Sequence, residues 1–137
     1  MASLNARILP KRLADAYFTG SFKMLLVSAV PDDTAADAAD FRSGIANEVT
    51  GTGYTAGGAA ITLTVGAKDT TNNRVAVTLG SVSWAASTIT AVGGWVYKVV
   101  GSAATDEVIG FVDFGGTISS TGGAFTFTPS APLYVNA

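Results

Sequence analysis

Ala60-Ile61-Thr62-Leu63-Thr64-Val65 alternates apolar and polar residues from Ile61 onward, and that alternation decides the fold. A period of two puts Ile61, Leu63 and Val65 on one side of an extended chain and the threonines on the other. A helix would scatter the same residues around its axis. After a turn at Asp69-Thr70-Thr71-Asn72-Asn73 the pattern returns. In Arg74-Val75-Ala76-Val77-Thr78-Leu79, the residues Val75, Val77 and Leu79 share a face. Aspartate and asparagine suit the turn because their side chains hydrogen-bond to nearby backbone.

Downstream, Val82-Ser83-Trp84 continues after Gly80. Gly94-Trp95-Val96-Tyr97-Lys98-Val99-Val100 reads as a strand with two aromatics. Gly101 to Asp106 is a polar turn, and Glu107 to Phe114 pairs back as a hairpin. Gly115 to Gly123 reads as a loop. Ala124 to Thr128 and Leu133 to Val135 close the chain. Upstream, Ser21 to Val30 is an apolar strand whose middle should be buried on both faces. Pro31-Asp32-Asp33-Thr34 ends it, and Thr34 or Asp33 can cap a short helix through Asp37, Asp40, Phe41 and Ile45. Strands do not alternate with helices, which argues against a parallel α/β sheet. The fold class is mainly β: an antiparallel sandwich or jelly-roll-like barrel with one short helix and an extended N-terminal arm.

The arm covers residues 1–20, leaving 21–137 as a single β-sandwich domain. Leu4, Ile8, Leu9, Leu13, Tyr17 and Phe18 have rough helical spacing, but Pro10 disfavours helix at Leu9. Two readings fit. One is a strand-and-turn entry into the core. The other is an extended tether that lies on a partner through Arg7, Ile8, Leu9, Lys11, Arg12, Tyr17 and Phe18. On the second reading, removing residues 1–20 leaves a folded domain that no longer binds.

Composition excludes several chemistries. The 137 residues hold no cysteine and no histidine. Disulfides and thiolate metal sites are therefore impossible, and the commonest general base is missing. A net charge of −2 gives no reason to expect nucleic-acid binding. No apolar run is long enough for a membrane span, and the N-terminus lacks a signal-peptide core. From Gly53 onward, charges are rare. Such a surface belongs either to a small, weakly charged domain or to one covered by neighbouring subunits.

Catalytic constellations are also missing. Lys23, Lys68 and Lys98 have no Ser-x-x-Lys context. Asp106, Glu107 and Asp113 read as outward-facing strand carboxylates. Asp32, Asp33, Asp37 and Asp40 lack the ligand spacing of a calcium loop. The chain is expected to be no enzyme and to need no cofactor or metal. Trp84, Trp95 and Tyr97 read as packing or interface anchors, with a carbohydrate platform as the alternative.

Ile45-Ala46-Asn47-Glu48-Val49-Thr50-Gly51-Thr52-Gly53-Tyr54-Thr55-Ala56-Gly57-Gly58 joins the two parts of the chain. Glycines allow unusual backbone angles, and Tyr54 supplies a packing anchor with a polar tip. A flexible linker would have no use for that tyrosine. This segment, together with Asn73-Arg74-Val75-Ala76-Val77, Val82 to Ala91, Gly110-Phe111-Val112-Asp113-Phe114-Gly115 and Phe125-Thr126-Phe127, resembles small virion structural proteins of tailed bacteriophages. The resemblance implies a particle component on the virion's capsid surface, made in the host cytoplasm. Its role would be decoration or cementing, its partner the major capsid protein, and its form a homo-oligomer, with a trimer matching local three-fold positions. A tail or head-fibre component with a carbohydrate-binding role, and a tail-tube or head-completion ring subunit, are the alternatives. Neither nucleic acid nor membrane is expected as a partner.

Overall fold

The computed structural model describes residues 9–32 and 39–136, with Leu9 and Pro10 described by their backbone alone. The helix α1 (Leu9–Tyr17) precedes seven strands. These are β1 (Phe22–Val27), β2 (Ala59–Ile61), β3 (Leu63–Asp69), β4 (Arg74–Leu79), β5 (Val82–Lys98), β6 (Glu107–Phe127) and β7 (Leu133–Asn136). They form two antiparallel sheets, ordered β2-β1-β5-β6 and β3-β4-β7. The mainly β, sandwich-like class read from the alternation stands. The chain packs as two compact units, one with each sheet.

The first unit joins α1 to β3, β4 and β7. Val75, Val77 and Leu79 are buried on one side of β4, as their spacing predicts. Val77 sits opposite Val65 and Leu133, and Val75 opposite Val135. The β3–β4 turn is held by Asp69, whose carboxylate accepts from the backbone N–H groups of Thr71 (3.0 Å) and Asn72 (3.1 Å). Arg74 lies 3.7 Å from the Tyr134 ring centroid.

Helix α1 corrects the reading of the 1–20 arm as extended over Leu9–Tyr17. Pro10 stands in the first turn, where a helix needs no N–H from it, so a proline there is compatible with the start of the helix. The helix buries Ala14 and leaves Leu13 about half exposed. Gly20 follows the helix with a left-handed φ of +91°.

The second unit holds the four-stranded sheet. Both faces of β1 are buried: Met24, Leu25, Leu26 and Val27 are each at most 2% exposed. Leu25 faces Trp95, and Trp95 faces Phe111, whose ring centroid is 5.1 Å away. Leu25, Val27, Ala39, Trp95 and Tyr97 form one buried cluster, flanked by Ile45, Val99, Val108 and Phe111.

Three further expectations change. The run 60–65 is not one strand. It divides at Thr62, with Ile61 pairing to β1 and Leu63 to β4. Alternation sets the face of a residue but not its partner strand. The proposed helix from Thr34 lies partly outside the described residues. Its described end is a 3-10 turn at Arg42–Gly44. There Arg42 N–H donates to the Asp106 carbonyl, and Val108 N–H to the Asp40 carbonyl, so this backbone serves the sheet. Finally, Gly115 to Gly123 is not a loop but the middle of β6, and β5 runs unbroken from Val82 to Lys98.

Candidate assembly interface

The connector closes one edge of the four-stranded sheet. β1 needs partners along its outer side, and β2 supplies them only for Phe22, Lys23 and Met24. Beyond Met24 the connector takes over. Val49 N–H donates to the Leu26 carbonyl at 3.0 Å, and Ser28 N–H to the Asn47 carbonyl at 2.9 Å. Between the β2 pairing, which ends at Met24, and the Val49 pairing, the Leu26 N–H falls in a gap. Tyr54 fills it: its hydroxyl accepts from Leu26 N–H at 3.2 Å and donates to Glu48 Oε2 at 2.7 Å. A buried backbone N–H left unpaired would be costly, which explains a tyrosine inside a glycine-rich loop.

Glu48 is the hub of this closure. Its Oε2 also accepts from Gly57 N–H at 2.7 Å. The Gly57 carbonyl in turn accepts from the Tyr97 hydroxyl. Burial, reinforced by the Glu48 carboxylate, pushes the Tyr54 phenol far above its ordinary range, so it stays a proton donor. Gly58 is forced by the close approach of the connector. Its φ is +81°, and an added Cβ would stand 1.8 Å from the Met24 carbonyl oxygen.

Arg42 and Asp106 pin the other end of the connector. Arg42 Nε lies 2.9 Å from Asp106 Oδ2, and its guanidinium sits 5.4 Å from the Tyr97 ring centroid. Asp106 Oδ1 accepts from the N–H groups of Val100 (2.8 Å) and Gly101 (3.0 Å). Burial alone would raise this carboxyl's pKa. The backbone N–H groups and Arg42 outweigh it and hold the carboxyl below its usual range. The reading of Asp106 as outward-facing is therefore corrected: it is 3% exposed, because the turn gives it buried donors to satisfy. Asp113 is exposed, and its carboxylate accepts from Gly115 N–H at 2.8 Å.

The other anchors fall into rows of rings. Tyr54 meets Trp84 (centroids 6.2 Å apart), and Trp84 meets Phe125 edge-on (5.8 Å). Phe114 then contacts Phe125 (6.2 Å) and Phe127 (5.6 Å). Trp84 and Trp95 are 5% and 6% exposed, so their rings pack on protein and offer little face to a sugar. In the first unit, Lys11 bonds Asp15 at 2.8 Å, Arg12 is exposed on α1, and Tyr17 and Phe18 meet edge-on at 5.2 Å. Leu9 belongs to α1, while Arg7 and Ile8 lie outside the described residues.

With the β1 side closed, β6 remains as the long edge of this sheet. Asp40 and Phe41 cover only its start, at Glu107 and Val108. Among the described residues, no strand pairs with the outer side of β6 beyond that point. From Phe114 to Phe127 it carries no charged residue. Ile118 is 42% exposed, and Thr117, Ser119 and Thr121 are exposed. Hydroxyls line the outer face of the β5–β6 ribbon, with Ser83–Thr126 at 3.2 Å and Thr90–Ser119 at 3.0 Å. On the inner face, Ser87 is fully buried and bonds Ser120 at 2.8 Å.

Tyr54, Trp84, Trp95 and Tyr97, singled out in the sequence, all lie in the second unit, and all but the half-buried Tyr54 are buried. Sequence reasoning missed Glu48, Asp106 and the β6 edge. The composition of β6 held the signal: threonine and serine between glycine pairs suit a strand as well as a loop. No family model, curated protein or solved structure matches this chain.

Proposed function

We propose that this chain is a non-enzymatic structural protein of a tailed-bacteriophage virion. In this reading it decorates or cements the outer capsid surface, bound to the major capsid protein. One observation carries it: the long edge of β6, uncharged from Phe114 to Phe127 and with no strand paired to it there among the described residues. Exposed edges are templates for pairing with another chain, and natural proteins commonly place lysine or proline there as a guard. Phe114 to Phe127 has neither residue. A protein that assembles has reason to leave such an edge open.

Two further observations support the reading. The phage-like segments include the connector that closes the β1 side. Two carboxylates of the second unit are also committed to its own backbone. Glu48 holds Gly57, and Asp106 holds Val100 and Gly101. Such carboxylates build a rigid body for repeated contacts.

The test is a reconstruction of the particles of the phage that encodes the chain. The expected result is density for this fold on the capsid exterior, against the major capsid protein. Density in the tail tube, in a head-completion ring or on a fibre would overturn the decoration role. Particles without the chain would overturn the virion reading altogether.

A further inference from the structure

The open edge has a property that points to its occupant. Gly115-Gly116-Thr117-Ile118-Ser119-Ser120-Thr121-Gly122-Gly123 reads nearly the same in both directions about Ser119. Gly115 mirrors Gly123, Gly116 mirrors Gly122, and Thr117 mirrors Thr121. Only Ile118 and Ser120 differ. The backbone is less symmetric than the sequence: residues 114–117 have no partner in β5, between Gly93↔Asp113 and Ala91↔Ile118, and the left-handed glycines 115 and 122 are not mirror positions about Ser119. Ile118 to Thr121 keep a regular register with β5, from Ala91↔Ile118 to Thr88↔Thr121. That straight piece is bracketed by left-handed glycines, Gly115 at φ +78° and Gly122 at +70°.

Two identical strands can pair antiparallel about a two-fold axis only if each residue meets its mirror position on the same face. An axis through Ser119 meets this condition: Ser119 faces itself, and Thr117 faces Thr121 of the second copy. Cross-strand threonine pairs are favourable, whereas like charges directly opposite are not. No charge lies between Phe114 and Phe127 to be duplicated across the axis. Every side chain at the centre is small or β-branched, the kind that packs on a pleated surface.

We propose that β6 pairs with β6 of a second copy of this chain, antiparallel and centred on Ser119, to give a dimer with one continuous sheet. The inference goes beyond the capsid role and does not depend on it. A dimer that never binds a capsid would sink the capsid reading and leave this one standing.

The chain has no cysteine of its own, so a single introduced thiol reports the axis cleanly. Residues directly opposite in an antiparallel pair have Cα atoms about 4.5–5.5 Å apart, within the span a disulfide accepts. Ser119→Cys should therefore convert to a disulfide-linked dimer under mild oxidation. Ser83→Cys, exposed on β5, should stay monomeric on a denaturing gel. In parallel, light scattering across a concentration series should show the unmodified chain dimerising. Ser119→Lys sets two cations face to face and should weaken that dimer by tenfold or more, while circular dichroism confirms its fold. Equal cross-linking at positions 83 and 119 would overturn the proposal. So would a chain that is monomeric throughout, or an oligomer that Ser119→Lys leaves unchanged.

Discussion

Tyr54 shows how one hydroxyl can decide the shape of a loop. It accepts from Leu26 N–H and donates to Glu48, at the point where neither β2 nor residues 47–49 reach β1. Tyr54→Phe keeps the ring against Trp84 and removes only the polar tip. It should cost about 1–3 kcal/mol, the range for leaving a buried donor unsatisfied, read from urea unfolding. An unchanged midpoint would mean that the Leu26 N–H has another partner. Trp95→Ala removes the central ring of the buried cluster and should cost about 3–5 kcal/mol by the same measurement. Asp106 gives stability its acid limit. Its folded carboxyl titrates below its ordinary value near 3.8, so its contribution is complete above that value and is lost as pH falls through the folded one. Asp69 acts in the same direction, chiefly through the Asn72 side chain, but at an exposed turn. The melting temperature should therefore drop below about pH 4, and Asp106→Asn should flatten that acid limb. A variant with the same acid limb as the parent would remove Asp106 from the account.

At the scale of elements, α1 and β6 are where the structure departs most from expectation. Helix α1 is part of a packed unit, with Ala14 1% exposed and the helix touching β3, β4 and β7. Deleting residues 1–20 should therefore uncover that sheet and broaden or split the unfolding transition. A sharp transition at the parent's midpoint would restore the tether reading. The strands were legible wherever one face is buried, because burial enforces alternation: Arg74 to Leu79 is the clear case. The middle of the edge strand was not legible. Most of Glu107 to Phe127 is exposed or half-buried, so neither side chains nor burial imposed a period on it, and Gly115 and Gly122 imitate loop chemistry. Pro10 misled for a related reason. Its effect depends on whether it stands in the first turn or the interior, and spacing alone does not say. In the connector, the tyrosine could be seen to anchor something. Its hydrogen-bond partner could not, because Leu26 lies 28 residues away in sequence.

At the scale of the molecule, the account rests on an asymmetry within one sheet. Residues 47–58 and β2 line the outer side of β1 with hydrogen bonds, while among the described residues no strand lies beside most of the outer side of β6. Amide exchange follows such differences, since an unpaired edge N–H exchanges far faster than one in a ladder. The direct measurement is hydrogen–deuterium exchange by mass spectrometry, on dilute free protein and on the same protein assembled in its particle. Peptides covering Leu26 and Val49 should be protected in both states. The peptide covering Thr117 to Thr121 should exchange fast when free and become protected on assembly. Equal, fast exchange of that peptide in both states would contradict the claim that β6 is the edge through which this protein assembles.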